Sequence, residues 1–179
     1  MKKILLHTCC GPCGIAIYEK LSEDFHLTAY FYNPNIFPES EYLGRLEAAK
    51  TAVRAVSGVE LIAGKYEPEK WLKICAAYKD EPEGGERCKL CFKMRMEEAA
   101  RYAKENGFDI WGTTITSGRN KKAAVINALG RELAEKCGVE FFEADWKKGG
   151  GQERSRQLSE RYQIYRQNYC GCLYSIRKS

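Results

Sequence analysis

Short apolar runs alternate five times with stretches whose apolar residues recur every three or four positions, and this alternation limits the fold more than any other feature of the chain. The runs are Lys3–His7, His26–Asn33, Val59–Ala63, Phe108–Ile115 and Val139–Glu143. Helical patterns cover Gly14–Leu21, Pro68–Tyr78, Cys88–Asn106 and Gln152–Gln167. Two stripes are clearest: Tyr42, Leu46, Ala49, Val53 and Val56, and then Ile126, Leu129, Leu133 and Cys137, with Gly138 placed to cap the second. Alternating elements with near-continuous apolar strands predict an α/β fold, a mostly parallel five-stranded sheet with helices on both faces. No internal repeat and no long linker divides the 179 residues, so 1–179 reads as a single domain. At 44% hydrophobic and 30% charged residues the chain can bury a core and is not disordered.

Such a sheet binds ligands at the carboxyl ends of its strands. There the chain places Thr8-Cys9-Cys10-Gly11-Pro12-Cys13 after the first strand and Asn33-Pro34-Asn35 after the second. Thr116-Ser117-Gly118-Arg119-Asn120 follows the fourth, and Ala144-Asp145-Trp146-Lys147-Lys148 the fifth. Cys88 opens the helix that returns to the fourth strand, and a returning helix starts at that same rim. Two cysteine clusters are thus expected to converge.

Nine cysteines, an odd number unevenly placed, do not suit a disulfide scaffold. The start, MKKILLHTCC, holds too short an apolar run for a leader peptide, and no run approaches a membrane span, so a cytoplasmic protein without membrane contact is expected. Clustered cysteines there point to metal binding or redox chemistry. Cys9, Cys10, Cys88 and Cys91 offer four thiolates at helix starts, where free N–H groups and the helix dipole stabilise negative sulfur. An iron–sulfur cluster, a zinc ion and free redox thiols all remain open, although adjacent cysteines fit separate irons of a cluster more easily than one tetrahedral ion.

Cys170-Gly171-Cys172 suits a small strained disulfide, hence an electron relay, or else extra ligands or inert thiols. A helix over 152–167 descending from the rim would carry this pair about 24 Å away from it. The glycines of Lys147–Gly151 allow the chain to drop first and the helix to rise back, the course adopted here. Cys13 is a candidate metal ligand or a helix-face residue. Cys75 and Cys137 read as core. His7 and His26 read as strand-end residues, His7 lying near enough to the cysteine loop to be a candidate ligand. Asp145 is a solvated loop residue, a hard ligand for iron, or a proton donor.

The net charge of +5 is compatible with a nucleic-acid partner. Basic residues cluster late: Arg119, Lys121, Lys122, Lys147, Lys148, Arg154, Arg156, Arg161, Arg166, Arg177 and Lys178. Tyr162, Tyr165, Tyr169 and Tyr174 lie among them, either as platforms for bases or as a buried stripe at helical spacing.

HTCCGPC at the first strand–turn, FYNPNI with PESEY, C-x-x-C opening a helix, and YRQNYCGCLYS near the end together resemble the epoxyqueuosine reductase family of the QueH type, over essentially the whole chain. The resemblance implies a cobalamin-independent oxidoreductase that reduces the epoxide of epoxyqueuosine in tRNA to queuosine. It implies a [4Fe–4S] cluster on Cys9, Cys10, Cys88 and Cys91 and a redox-active pair at Cys170 and Cys172. It also implies a second iron, for which Cys13 and Asp145 are the candidates, Asp145 being counted with the catalytic residues. The fold it implies is similar to the nucleotide α-hydrolase (HUP-like) group. Cys9-Cys10-Gly11-Pro12 replaces the Ser-Gly-Gly phosphate loop of that group's ATP-using members, which speaks against ATP use. No G-x-G-x-x-G follows a strand, so electrons are expected from an external donor and not from a bound NAD. Two rival readings are a metal-free thiol–disulfide oxidoreductase and a zinc-stabilised tRNA-binding module.

Overall fold

Ile4, Leu5 and Leu6 can lie at the centre of a sheet because both faces there are covered. They form β1 (Lys3–His7), and all three are fully buried. In this computed structural model, which describes residues 1–176, β1 pairs in parallel with β2 (His26–Phe31) and β4 (Ile110–Thr113). β3 (Glu60–Ala63) and β5 (Glu140–Phe141) are the edges, giving the order β3-β2-β1-β4-β5 with every pairing parallel. The expected five-stranded parallel sheet is present; β1 spans its apolar run in full, and the other four strands are shorter than theirs.

Side chains alternate across the sheet and split the core into two layers. Ile4 and Leu6 pack with α1 (Gly11–Ser22), α2 (Glu39–Arg54) and α6 (Gly151–Arg161). Leu5 packs on the opposite face with α4 (Glu86–Glu105) and α5 (Ala123–Cys137). The short α3 (Pro68–Cys75) brings Trp71 and Cys75 against Cys91 and Cys172. Among the described residues no helix is long and apolar enough to cross a membrane.

The chain leaves β1 toward β2 on one side, and β4 lies on the other. The loops after β1 and β4 therefore diverge, opening a crevice at the carboxyl rim. Pro12 in the first turn of α1 fits there because its missing N–H would be unpaired anyway.

The last helix differs from its expected span of 152–167 and stops at Arg161. The Gln163 N–H bonds to the Glu160 carbonyl and the Ile164 N–H to the Ser159 carbonyl, with Gln163 at φ +52°. This is a Schellman ending in which glutamine occupies the left-handed position usually held by glycine. It turns Ile164 into the core beside Leu158. Before it, Gly149 and Gly150 take positive φ and turn the chain into α6. Arg154, near the start of α6, pairs with Glu19 late in α1, whereas Ile164 lies against Gly11 at the start of α1. α6 thus runs antiparallel to α1 and returns the chain to the rim.

Candidate active site at the carboxyl rim

A cleft at the crevice is lined from three rim loops and the C-terminal segment. Cys9 and Cys13 come from the loop after β1, Asn35 from that after β2, Gly118–Lys121 from that after β4, and Cys170 from the tail. A small cavity adjoins it, walled by Cys88, Cys91, Cys170 and Cys172 and sharing Asn35, Arg95 and Lys121 with the cleft. Thiols from three separate segments meet around this space. The Cys9 sulfur lies 3.4 Å from the Thr114 hydroxyl. Cys88 and Cys91 stand in the first turns of α4, where Cys88 accepts the Gly84 N–H at 3.2 Å. Burial pushes the Cys91 thiol up, opposed by the charge of Arg95.

Cys10 and Cys13 depart from the sequence expectation. Their sulfurs are joined as a disulfide, so neither is a free thiolate ligand in this state. Cys10 is the N-cap of α1, and its sulfur accepts the Cys13 N–H at 3.2 Å. N-cap and N3 side chains meet over the first helical turn, the same geometry that lets a capping serine reach its N3 amide. Cys10 does not line the cleft, although the Cys9, Cys10 and Cys13 sulfurs all lie within 4.8 Å of one another.

The C-terminal pair is held at the rim by Arg45. This buried guanidinium donates to the carbonyls of Cys170 (2.8 Å) and Tyr169 (3.0 Å) and to Glu41 (2.7 Å). Gly171 has φ +131°, and a Cβ there would lie 2.9 Å from Arg45 Nη1, so the glycine is required. The two thiols differ in setting. Cys170 faces the cleft, with the Lys121 ammonium 3.2 Å from its sulfur, whereas Cys172 is buried beside Trp71, Cys75 and Cys91. Burial works against the Lys121 charge, but the Cys170 sulfur outweighs it and raises the ammonium above its ordinary value. Cys75 behaves as core: burial above all, then Cys91 and Cys172, push its thiol up to about 12.

His7 is not a ligand. It is fully buried, and its Nδ1 and Nε2 each lie 3.0 Å from an oxygen, the Thr113 hydroxyl and the Tyr32 carbonyl. Burial, and then the charge of Arg95, lower its pKa to about 3, so the ring is neutral. Nε2 therefore donates to the carbonyl and Nδ1 accepts from the hydroxyl. Asp145 is not at the cleft either. Partial burial works against its charge, but hydrogen bonds from Lys147 outweigh this and hold it below the usual carboxylate range.

Of the late basic residues, Lys121 and Lys147 turn inward. Lys147 Nζ donates to the carbonyls of Thr116 (2.8 Å) and Lys121 (2.7 Å) and so braces the rim loop. Arg154 pairs with Glu19, and Arg156 with Glu153 and Glu160. Arg119, Lys122, Lys148, Arg161 and Arg166 are exposed; Arg177 and Lys178 lie outside the described residues. The helical spacing of Tyr162, Tyr165 and Tyr169 does not survive the end of α6 at Arg161. Tyr162 packs on the core, Tyr169 bonds the Phe37 carbonyl under Arg45, Tyr174 packs on Trp71, and Tyr165 is exposed.

Sequence reasoning missed Arg45 and Arg95. Each had a readable signal, a charge within an otherwise apolar helical stripe: Tyr42, Arg45, Ala49 in α2 and Cys91, Arg95, Ala99 in α4.

The fold and the site define a parallel α/β protein that gathers free thiols and buried cations at the carboxyl rim of its sheet. The chain belongs to the epoxyqueuosine reductase QueH family, whose model matches residues 4–178. It is similar to epoxyqueuosine reductase QueH of Staphylococcus epidermidis (40% identical, 98% of this chain and 77% of that one). That of Histophilus somni is 41% identical (98% and 72%), and that of Thermotoga maritima 36% (98% and 91%). The fold is also similar to the crystal structure of a predicted tRNA methyltransferase subunit from Methanocaldococcus jannaschii, with TM-score 0.57 and 15% identity over 88% of this chain and 76% of that one.

Proposed function

We propose that this protein reduces the epoxide of epoxyqueuosine in tRNA to queuosine without cobalamin, using a [4Fe–4S] cluster and the Cys170–Cys172 pair. The observation that supports it best is the gathering of Cys9, Cys88, Cys91, Cys170 and Cys172 around adjoining cavities that also hold Arg95 and Lys121. Soft sulfur donors beside buried cations suit an anionic thiolate-bound cluster. Cys9, Cys88 and Cys91 are three of its ligands, and Cys10 becomes the fourth once its bond to Cys13 is reduced. Of the two candidates for a second iron, Cys13 is freed by the same reduction, whereas Asp145 is held by Lys147 and does not line the cleft.

Turning an epoxide into an alkene and water takes two electrons and two protons. Cys170 and Cys172 release that number when two thiols close to a disulfide, and an external donor then restores the thiols. The cluster, when bound, supplies single-electron transfer and a Lewis-acidic iron. Lys121, beside Cys170, holds a proton at the cleft. A thiol-dependent cluster enzyme of this kind belongs in the reducing cytoplasm.

The disulfide at the start of α1 favours a second reading, a metal-free thiol–disulfide oxidoreductase. Anaerobic iron and sulfide analysis with a visible spectrum separates the two. Iron–sulfur absorption should appear on reconstitution, vanish in Cys88→Ser and Cys91→Ser together with epoxyqueuosine reduction, and survive in the Cys170→Ala/Cys172→Ala variant while turnover collapses. A colourless protein without iron supports the metal-free reading, and stoichiometric zinc with unchanged tRNA supports a binding module.

A further inference from the structure

Among the described residues three arginines are buried, and they are not equally satisfied. Arg45 has a carboxylate and two carbonyls within 3.0 Å, and Arg87 donates to three carbonyls at 2.6–3.0 Å. Arg95, with only 4% of its surface exposed, has two neutral oxygens, the Cys91 carbonyl and Asn33 Oδ1, both at 3.4 Å. Desolvation of a guanidinium is costly unless an opposite charge compensates for it. Cys9 and Cys170 share the cleft with Arg95, and Cys91 shares the small cavity with it, one cysteine from each segment at the rim; the one carboxylate lining the cleft among the described residues, Glu83, is paired with Lys121 at 3.6 Å. The Arg95 side chain lines both cavities.

Resting on the cluster reading above, we propose that Arg95 is a positioning residue whose fixed charge compensates the thiolate-bound cluster and raises its reduction potential. Reduction adds one negative charge to the centre. A cation held within the same low-dielectric space stabilises the reduced form more than the oxidised one. In the metal-free protein with neutral thiols the same cation is left without a counter-charge.

Arg95→Met and Arg95→Lys test this through potential and melting temperature. In an anaerobic redox titration of the reconstituted protein, Arg95→Met should shift the cluster equilibrium toward the oxidised form by about tenfold, roughly 59 mV for one electron, and Arg95→Lys by much less. In the reduced metal-free protein Arg95→Met should melt no lower than wild type, whereas its gain in melting temperature on cluster loading should shrink. Loss of the cluster in Arg95→Met with retention in Arg95→Lys also supports the compensating charge. An unchanged midpoint, equal destabilisation of the loaded and metal-free forms, or loss of the cluster in both variants overturns it. Failure of the wild type to take up iron overturns the functional reading itself, an outcome distinct from any of these.

Discussion

At Cys10 the disulfide and the proposed cluster exclude each other. As the N-cap partner of Cys13 it is one half of a disulfide, and as a cluster ligand it must be a thiolate. Two electrons and two protons, from a dithiol reductant, convert the first state to the second. Wild-type protein oxidised at this bond should therefore resist anaerobic iron–sulfur reconstitution until it is reduced. Cys13→Ala should take up the cluster without that step, because Cys10 has no partner to close on. Absorption after reconstitution measures the uptake, and a denatured, unreduced wild-type sample should titrate seven thiols. Equal uptake by oxidised wild type would remove Cys10 from the ligand set. The sequence pointed to Cys10 as a ligand because it sits beside Cys9, yet Cys10 and Cys13 are also N-cap and N3 of one helix. Adjacency along the chain was legible; the meeting of side chains over the first turn depended on where the helix begins.

Packing between helices fixes where these rim residues sit, and at Gly11 the backbones of α1 and α2 approach closely. A Cβ on Gly11 would come within 2.4 Å of the Ala48 carbonyl oxygen of α2 and 3.0 Å of Ile164 from the C-terminal segment. Backbone cannot yield as a flexible side chain can, so Gly11→Ala should destabilise the protein by about 1–3 kcal/mol. Gly44, inside α2 with no neighbour within 4 Å, is the control, and Gly44→Ala should stabilise by about 0.5–1 kcal/mol. Thermal or urea denaturation measures both, and a neutral Gly11→Ala would show that α1 and α2 can separate at no cost. Element order and sheet direction were legible because period and composition report them locally. The end of α6 was not: Gln163 carries no glycine or proline signal, and its left-handed turn is held by burial of Ile164, a long-range contact. The same limit hid the Arg45 clamp, whose partners at Tyr169 and Cys170 lie more than 120 residues away in the chain.

For the molecule as a whole, the question is which of its positive charges remain for a polyanion. The net charge is +5, but much of the late basic cluster is engaged within the fold. Lys121 faces Cys170, Lys147 braces the rim loop, and Arg154 and Arg156 are paired with glutamates. Arg119, Lys122 and Lys148 remain exposed on or beside the rim loops after β4 and β5, the first lining the cleft itself. On the proposed function, a tRNA whose modified base entered the cleft would bring its backbone across these loops. Each phosphate neutralised by a cation releases counterions and contributes about 0.7–0.9 to the slope of log affinity against log salt. Replacing Arg119, Lys122 and Lys148 together with glutamine should therefore flatten that slope by about 2–3. Arg156→Gln should leave it unchanged, since Glu153 and Glu160 already compensate that charge. Equilibrium binding of tRNA across a salt series reads both variants. A slope unaltered by the triple replacement would move the RNA surface away from the rim loops, while a wild-type affinity indifferent to salt would mean that the modified nucleoside, and not the backbone, supplies the binding.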